Sequence, residues 1–207
     1  MKNKKNKIIL SSVLGSFGLV STIGIATVCS SCSSEMSRGP LNTIWVDMDN
    51  DGNDDYLITE YTDGTYVFNK MINKNIKTFE FPNLNFTAIY SNAFAVCREL
   101  TSIIIPNSVE LIMSDAFIGC NNLSSIILPN KLTKILNSVF DDCLSLKNIS
   151  LPSSLTYIGE NAFSSLNYGV YTPLPQLIIN VPNNTIKQLV IDSGFTDENR
   201  IIVENSN

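Results

Sequence analysis

Four phenylalanines, Phe94, Phe117, Phe140 and Phe163, stand exactly 23 residues apart, and they do not recur alone. Cys97, Cys120 and Cys143 keep the same interval, with Leu166 in the fourth register, and so do Ile89, Ile112, Ile135 and Ile158. Pro106, Pro129 and Pro152 follow it too, while Pro82 lies one residue further back, which implies an insertion in the first unit. A unit of this length is too short to bury its own apolar side chains, so successive units must stack and share one core.

Within each unit, Leu100-Thr-Ser-Ile103-Ile-Ile105-Pro106 reads as a short strand whose alternate side chains point inward. Proline ends it because it cannot donate to a ladder. The next units supply Leu123, Ile126 and Leu128, then Leu146, Ile149 and Leu151. The remaining residues turn the chain back and tuck Ile112, Ala116 and Phe117 under the strand. Strands stacked about 4.8 Å apart then form a parallel sheet on one side. After the fourth unit a longer interval, Ser164 to Pro175, precedes Leu177-Ile-Ile-Asn-Val181-Pro182 and is expected to project from the stack.

A stack of this kind needs polar caps. Residues 44–75 are read as the N-terminal one, with a hairpin folded at Asp63-Gly64. Residues 183–207 are read as the C-terminal one. Helical spacing over Thr185–Ser193 stops at Gly194, and Ile201–Val203 closes the stack as a strand. The repeats proper then occupy 76–182.

Ahead of the caps, Lys2, Lys4, Lys5 and Lys7 precede 21 uncharged residues from Ile8 to Val28, and the run ends at Val28-Cys29-Ser30-Ser31-Cys32-Ser33. A basic start, an apolar run and a cysteine among small residues resemble a bacterial lipoprotein signal, in which the cysteine becomes the lipidated first residue. Cys32, preceded by Ser31, fits the processing site better than Cys29, preceded by Val28. An uncleaved membrane anchor is the alternative, since 21 residues can span about 30 Å of hydrocarbon. Residues 1–32 are thus read as signal and 33–43 as a tether. Removing the four lysines leaves 10 basic against 19 acidic residues, a net charge of −9. Such a chain is a poor nucleic-acid binder. It also has no histidine, which excludes His-based triads, general bases and metal sites.

The strand followed by Ala-Phe-x-x-Cys, as in Ala116-Phe117-Ile-Gly-Cys120, closely resembles the BspA-like leucine-rich repeat family over roughly residues 76–182. The first unit departs by its insertion and the fourth lacks the cysteine. The resemblance implies a right-handed leucine-rich-repeat-type β-solenoid with short helical or irregular returns. It also implies a bacterial surface protein that binds other macromolecules, in several cases host matrix proteins, and has no catalytic activity.

Three constellations bear on function. Asp47, Asp49, Asp51 and Asp55 have the spacing of a calcium loop around Gly52, but position 12 is Ile58 rather than a bidentate Glu. The loop is read either as a structural calcium site or as a solvated acidic turn; no other cofactor is expected. The three cysteines are read as a buried apolar column. Asp141-Asp142 are read as exposed acids at a coil corner, not as an active-site pair. The outward sheet face is the binding candidate, with one column of Thr78, Ser102, Ser125, Asn148 and Ile178 and another of Glu80, Ile104, Ile127, Ser150 and Asn180. Its area is only about 300 Å², against about 800 Å² per partner in a standard interface. The expected function is non-enzymatic adhesion to an extracellular macromolecule, a host or neighbouring-cell surface protein, from a lipid-anchored position on the membrane. The alternative is a structural or antigenically variable coat protein with no specific ligand.

Overall fold

Residues 39–49, 51–167 and 170–204 are described by the computed structural model. The leader with Cys29 and Cys32, and residues 33–38 of the tether, lie outside the described residues.

The described chain begins with a three-stranded antiparallel meander, β1 (Pro40–Val46), β2 (Tyr56–Tyr61) and β3 (Tyr66–Met71). Its second turn is the Asp63-Gly64 hairpin: Gly64 has φ +77, and Asp63 Oδ1 accepts from the Thr65 amide and hydroxyl. Residues 40–43, read as tether, belong instead to β1. They carry no apolar alternation because they pair along the free edge of β2, where the backbone supplies the bonding and most side chains remain in water.

Each coil then contributes two strands rather than one. The strands before the prolines are β4 (Thr78–Phe79), followed one coil on by β6 (Ser102–Ile104) and then β8 (Ser125–Ile127). Between them come β5 (Phe86–Ile89), β7 (Leu111–Ile112) and β9 (Lys134–Ile135). The fourth coil supplies β10 (Asn148–Ser150) and β11 (Tyr157–Ile158). The expected single sheet is therefore joined by a second, built around the isoleucine column that was read as merely tucked under. Two-residue strands are too short to show the in-out alternation of a strand, so the 23-residue isoleucine column was visible but its strand character was not. This second sheet has seven strands in the order β1-β2-β3-β5-β7-β9-β11, so the hairpin cap runs directly into the spiral.

The long interval forms a hairpin of β12 (Ser164–Asn167) and β13 (Val170–Pro173). β14 (Ile178–Val181) resumes the stack on β10, helix α1 spans Asn184–Asp192, and β15 (Ile201–Val203) pairs with β14. Asn183 caps the helix by accepting from the Ile186 amide at 3.0 Å. Gly194, expected to stop the helix, has φ +97 just beyond it.

The core is a column of stacked rings. Phe94 and Phe117 lie 5.0 Å apart, Phe117 and Phe140 5.7 Å, and Phe140 and Phe163 5.6 Å, all nearly parallel. Phe68 of β3 heads the column at 4.7 Å from Phe94. Beside the rings the buried thiols of Cys120 and Cys143 donate to Phe94 O and Phe117 O, at 3.1 and 3.2 Å. The returns also bond coil to coil, for example from Phe94 N to Ala116 O and from Phe117 N to Val139 O. Among the described residues, the buried members of the main core run from Ile44 to Ile201.

Candidate interaction surface

On the side of the molecule formed by β4, β6, β8, β10 and β14 the alternation holds as expected. Phe79, Ile103 and Ile126 are buried, while Thr78, Glu80, Ser125, Asn148 and Ser150 are exposed and Ser102 and Asn180 are half-buried. Ile104 is 65% and Ile127 55% exposed, and they face each other in register. Ile178 is exposed as well, and Ile202 of β15 extends the second column beyond Asn180. Ile202 was missed because Ile201-Ile202-Val203 was taken only as a closing strand, although it repeats the pattern of Ile103-Ile104-Ile105.

The face is not one continuous ladder. Backbone pairing joins β4-β6-β8 and, separately, β10-β14-β15, and it is interrupted between β8 and β10. A cleft of about 500 Å³ opens there, lined by Ile127, Asn130, Asn148, Ser150, Pro152 and Glu204 among others. The ten residues chosen from the sequence thus share one side of the molecule but form two adjoining patches.

The acidic loop draws three of its four candidates together. Carboxylate oxygens of Asp47, Asp49 and Asp55 lie within 4.8 Å of one another. Asp51 is not in that group; its Oδ1 accepts from Asn53 N at 2.8 Å, which turns the carboxylate back onto its own loop. Asp55 is buried, accepting from Met48 N at 2.7 Å and from the Asn73 side chain at 2.8 Å. Gly52, at φ +90, donates to Asp47 Oδ2.

Cys97, Cys120 and Cys143 form a buried column of free thiols. Burial pushes the Cys120 thiol up to about 12 and Cys143 well above its ordinary value. Burial also raises Cys97, partly offset by Lys74, whose Nζ lies 3.8 Å from the sulfur. Such thiols are poor nucleophiles, because the reactive form is the thiolate. Asp141, read as exposed, is instead buried at 5% exposure, whereas Asp142 is half-buried and accepts from the Ser165 hydroxyl.

A feature absent from the sequence reading lies on the outside of the seven-stranded sheet. Val67, Ala88 and Leu111 are buried there under Tyr61, Met113 and Leu136. Burial, and secondarily the neighbouring Tyr90, raises the Tyr61 phenol. The signal was present in the period, since Tyr90, Met113 and Leu136 stand 23 residues apart.

No helix among the described residues is long and apolar enough to cross a membrane. A comparison with curated proteins found no match. Three solved structures are similar at 26% identity. One is a leucine-rich repeat protein of T. pallidum (TM-score 0.54, covering 63% of this chain and 59% of that one). Another is a leucine-rich cell surface protein from Faecalibacterium prausnitzii A2-165 (TM-score 0.60, 79% and 40%). A third is a leucine-rich repeat protein from Bacteroides capillosus (TM-score 0.50, 60% and 94%). The chain therefore spans under two thirds of the first two relatives. The sequence model of the BspA type leucine-rich repeat region matches residues 64–190 in six copies, reaching back into β3 and forward into α1. With 23-residue coils, two parallel ladders and that match over more than half its length, the chain belongs to the BspA-type leucine-rich repeat family.

Proposed function

We propose that this protein is a non-enzymatic lipoprotein of the bacterial cell surface whose repeat spiral makes contacts with an extracellular macromolecule, a surface protein of a host or neighbouring cell. The observation that carries the reading is the pair of outward columns, which set Ile104 and Ile127 side by side in a field of Ser, Thr and Asn. The F. prausnitzii relative, described as a cell surface protein, supports the location. Cys32 is the anchoring residue, with Cys29 as the alternative. The strand residues of this face span only about 290 Å², so binding is weak per copy and depends on many tethered copies acting together. That small area equally favours the second reading, a coat protein without a specific ligand.

The test is saturable binding of residues 33–207, displayed at high density on beads, to host matrix proteins, mucin and whole cells. Ile104→Asp with Ile127→Asp is expected to abolish it; no saturable binding to any of the three would favour the coat reading. Under the same proposal Asp47, Asp49 and Asp55 hold a structural calcium ion that braces the entry to β2. Millimolar calcium is then expected to raise the melting temperature of the wild type but not of Asp49→Asn, and an unchanged wild type would overturn it.

A further inference from the structure

The interrupted ladder between β8 and β10 is a slot with a definite chemistry. Bonds from coil to coil close it at both ends, from Ser145 N to Asn121 O at 3.1 Å and from Ser154 Oγ to Leu132 O at 2.7 Å. Between those ends the peptide groups of the two walls face each other. Ile105 N donates to Ile127 O and Leu151 N to Asn180 O, so Ile127 turns its peptide groups toward β6 and Leu151 toward β14. Direction alternates along a strand. Ile126 and Leu128 therefore turn their N–H and C=O groups into the slot from one side, and Asn148 and Ser150 from the other. Among the described residues no backbone bond crosses between them. A peptide group left by its neighbouring strand needs another partner.

Resting on the proposed function, which brings an extracellular macromolecule to this face, we propose that the slot holds a neutral saccharide carried by that macromolecule. An inserted polypeptide strand does not fit. It needs twice the ~4.8 Å strand spacing between its neighbours, and Cα atoms of β8 and β10 still come within 8 Å of each other. A hydroxyl is smaller and both donates and accepts, so a sugar ring seated over the slot can meet an amide of one wall and a carbonyl of the other. The cleft above it, about 500 Å³, lies in the range of ligand pockets, roughly 300–1,000 Å³. Its lining offers the carboxamides of Asn130 and Asn148 and the hydroxyls of Ser150 and Ser153 to further sugar hydroxyls, while Ile127 and Pro152 present apolar surface to ring C–H groups. Charge selects neutral sugars over anionic ones: Glu204 lines the cleft, and no Lys or Arg lines it beside Glu204. The site is open and has no aromatic platform, so affinity is millimolar per copy and gains strength from many tethered copies.

The test is calorimetric titration of the full chain, held in a zwitterionic detergent. The probes are neutral oligosaccharides released from mucin and from a fungal cell-wall mannoprotein, which separate a host source from a neighbouring-cell source. Each is added from about 0.1 to about 30 mM, a range that brackets a millimolar constant. The expected result is saturable binding of at least one neutral probe and none of sialyllactose, which carries a carboxylate. Asn130→Ala with Asn148→Ala, at exposed positions that leave the melting temperature in place, should weaken binding at least about tenfold. Ile104→Asp, on the same side of the molecule but outside the cleft, should leave it unchanged. A wild type that binds neither neutral probe overturns the proposal. So does binding that the asparagine variant does not weaken, or that sialyllactose shares at equal strength. Beads that still capture matrix protein, mucin or cells after periodate has oxidised the sugars would leave the proposed function standing without the saccharide.

Discussion

The spiral is tight at one end and splayed at the other. From Phe68 through Phe117 the rings stack at 4.7 and 5.0 Å, within 4° of parallel, and β4, β6 and β8 form an unbroken ladder beside them. From Phe117 to Phe163 the spacing grows to 5.7 and 5.6 Å with 12° between planes, and the ladder between β8 and β10 is interrupted. Ring spacing does not follow the ladders step for step: the widest step, Phe117 to Phe140, lies between coils that both sheets join, β6 with β8 and β7 with β9, while the tightest, Phe68 to Phe94, is spanned by β3 with β5 alone. The fourth coil stays shut on the other side, where Tyr157 and Ile158 pair with Lys134 and Ile135. It is hinged closed along one sheet and open along the other, and the cleft is the gap.

The sharpest way to break this comparison is to remove rings from the two halves. Phe94→Ala and Phe140→Ala both delete a fully buried ring and should cost about 3–5 kcal/mol. Phe94→Ala belongs near the upper end, because the rings on either side of it stand 4.7 and 5.0 Å away and have less room to settle into the cavity than those at 5.7 and 5.6 Å around Phe140. Urea unfolding with unchanged m-values measures both, and a larger loss for Phe140→Ala would show that ring spacing does not set the rigidity.

The thiol column gives the next effect. Cys120 ionises near 12 when folded against an ordinary value near 9, and Tyr56 is likewise raised to about 12, chiefly by burial and then by Asp55. A raised folded value means that the unfolded chain loses its proton first. The stability is therefore fully present below about pH 9 and drains away as pH climbs toward 12, by up to ~1.4 kcal/mol per pH unit for each such thiol. Denaturation midpoints at pH 8, 9 and 10 should fall progressively, and Cys120→Ala should flatten the fall even where it lowers the starting stability. An identical pH slope in the variant would mean that the column is wetter than its burial implies.

The closed side of the fourth coil is tested at Gly159. A Cβ there would stand 2.6 Å from the backbone of Leu136 and Asn137. Gly159→Ala should therefore force the hinge open and cost about 1–3 kcal/mol as overpacking. A neutral result would mean that the fourth coil is free on both sides.

The repeat itself was plain in the sequence because each coil repeats one inward pattern, so Phe, Cys, Ile and Pro columns reinforce one another. What the pattern could not show is where backbone pairing holds. The side chains of Ile126 and Ile149 are equivalent in the sequence, yet their strands, β8 and β10, are not bonded to each other. Phe68 was hidden for a different reason. It lies 26 rather than 23 residues before Phe94, because β3 enters the spiral from an antiparallel hairpin and carries a bulge against both neighbours. The outward columns were legible from alternation alone. The second outer face was not, since its strands of two residues look like turns until they are stacked. In the acidic loop, spacing named four carboxylates, but Asp51 folds back onto Asn53, a local choice that spacing does not encode.

The tight half also carries a flaw that should be removable. Each return turns through left-handed positions: Asn92, Asp115, Ser138 and Asn161 form one column at φ 53–60, and Val96, Gly119 and Asp142 form another. Asn, Asp and Gly tolerate this region, but a β-branched valine at φ 60 crowds its own backbone. Val96 is 47% exposed, so its methyl groups recover little by burial. The amide cannot relax, because Val96 N donates to Ile118 O at 2.7 Å in the ladder that holds the first coils together. The strain is thus held by the bonding that joins one return to the next. Val96→Asn should raise stability by about 1 kcal/mol, at the low end of what such a conformation costs. The same change at the splayed end has no counterpart, since Asp142 already occupies its position. A destabilised Val96→Asn variant would mean that the valine packs against Gly119 and the next coil more usefully than its exposure suggests.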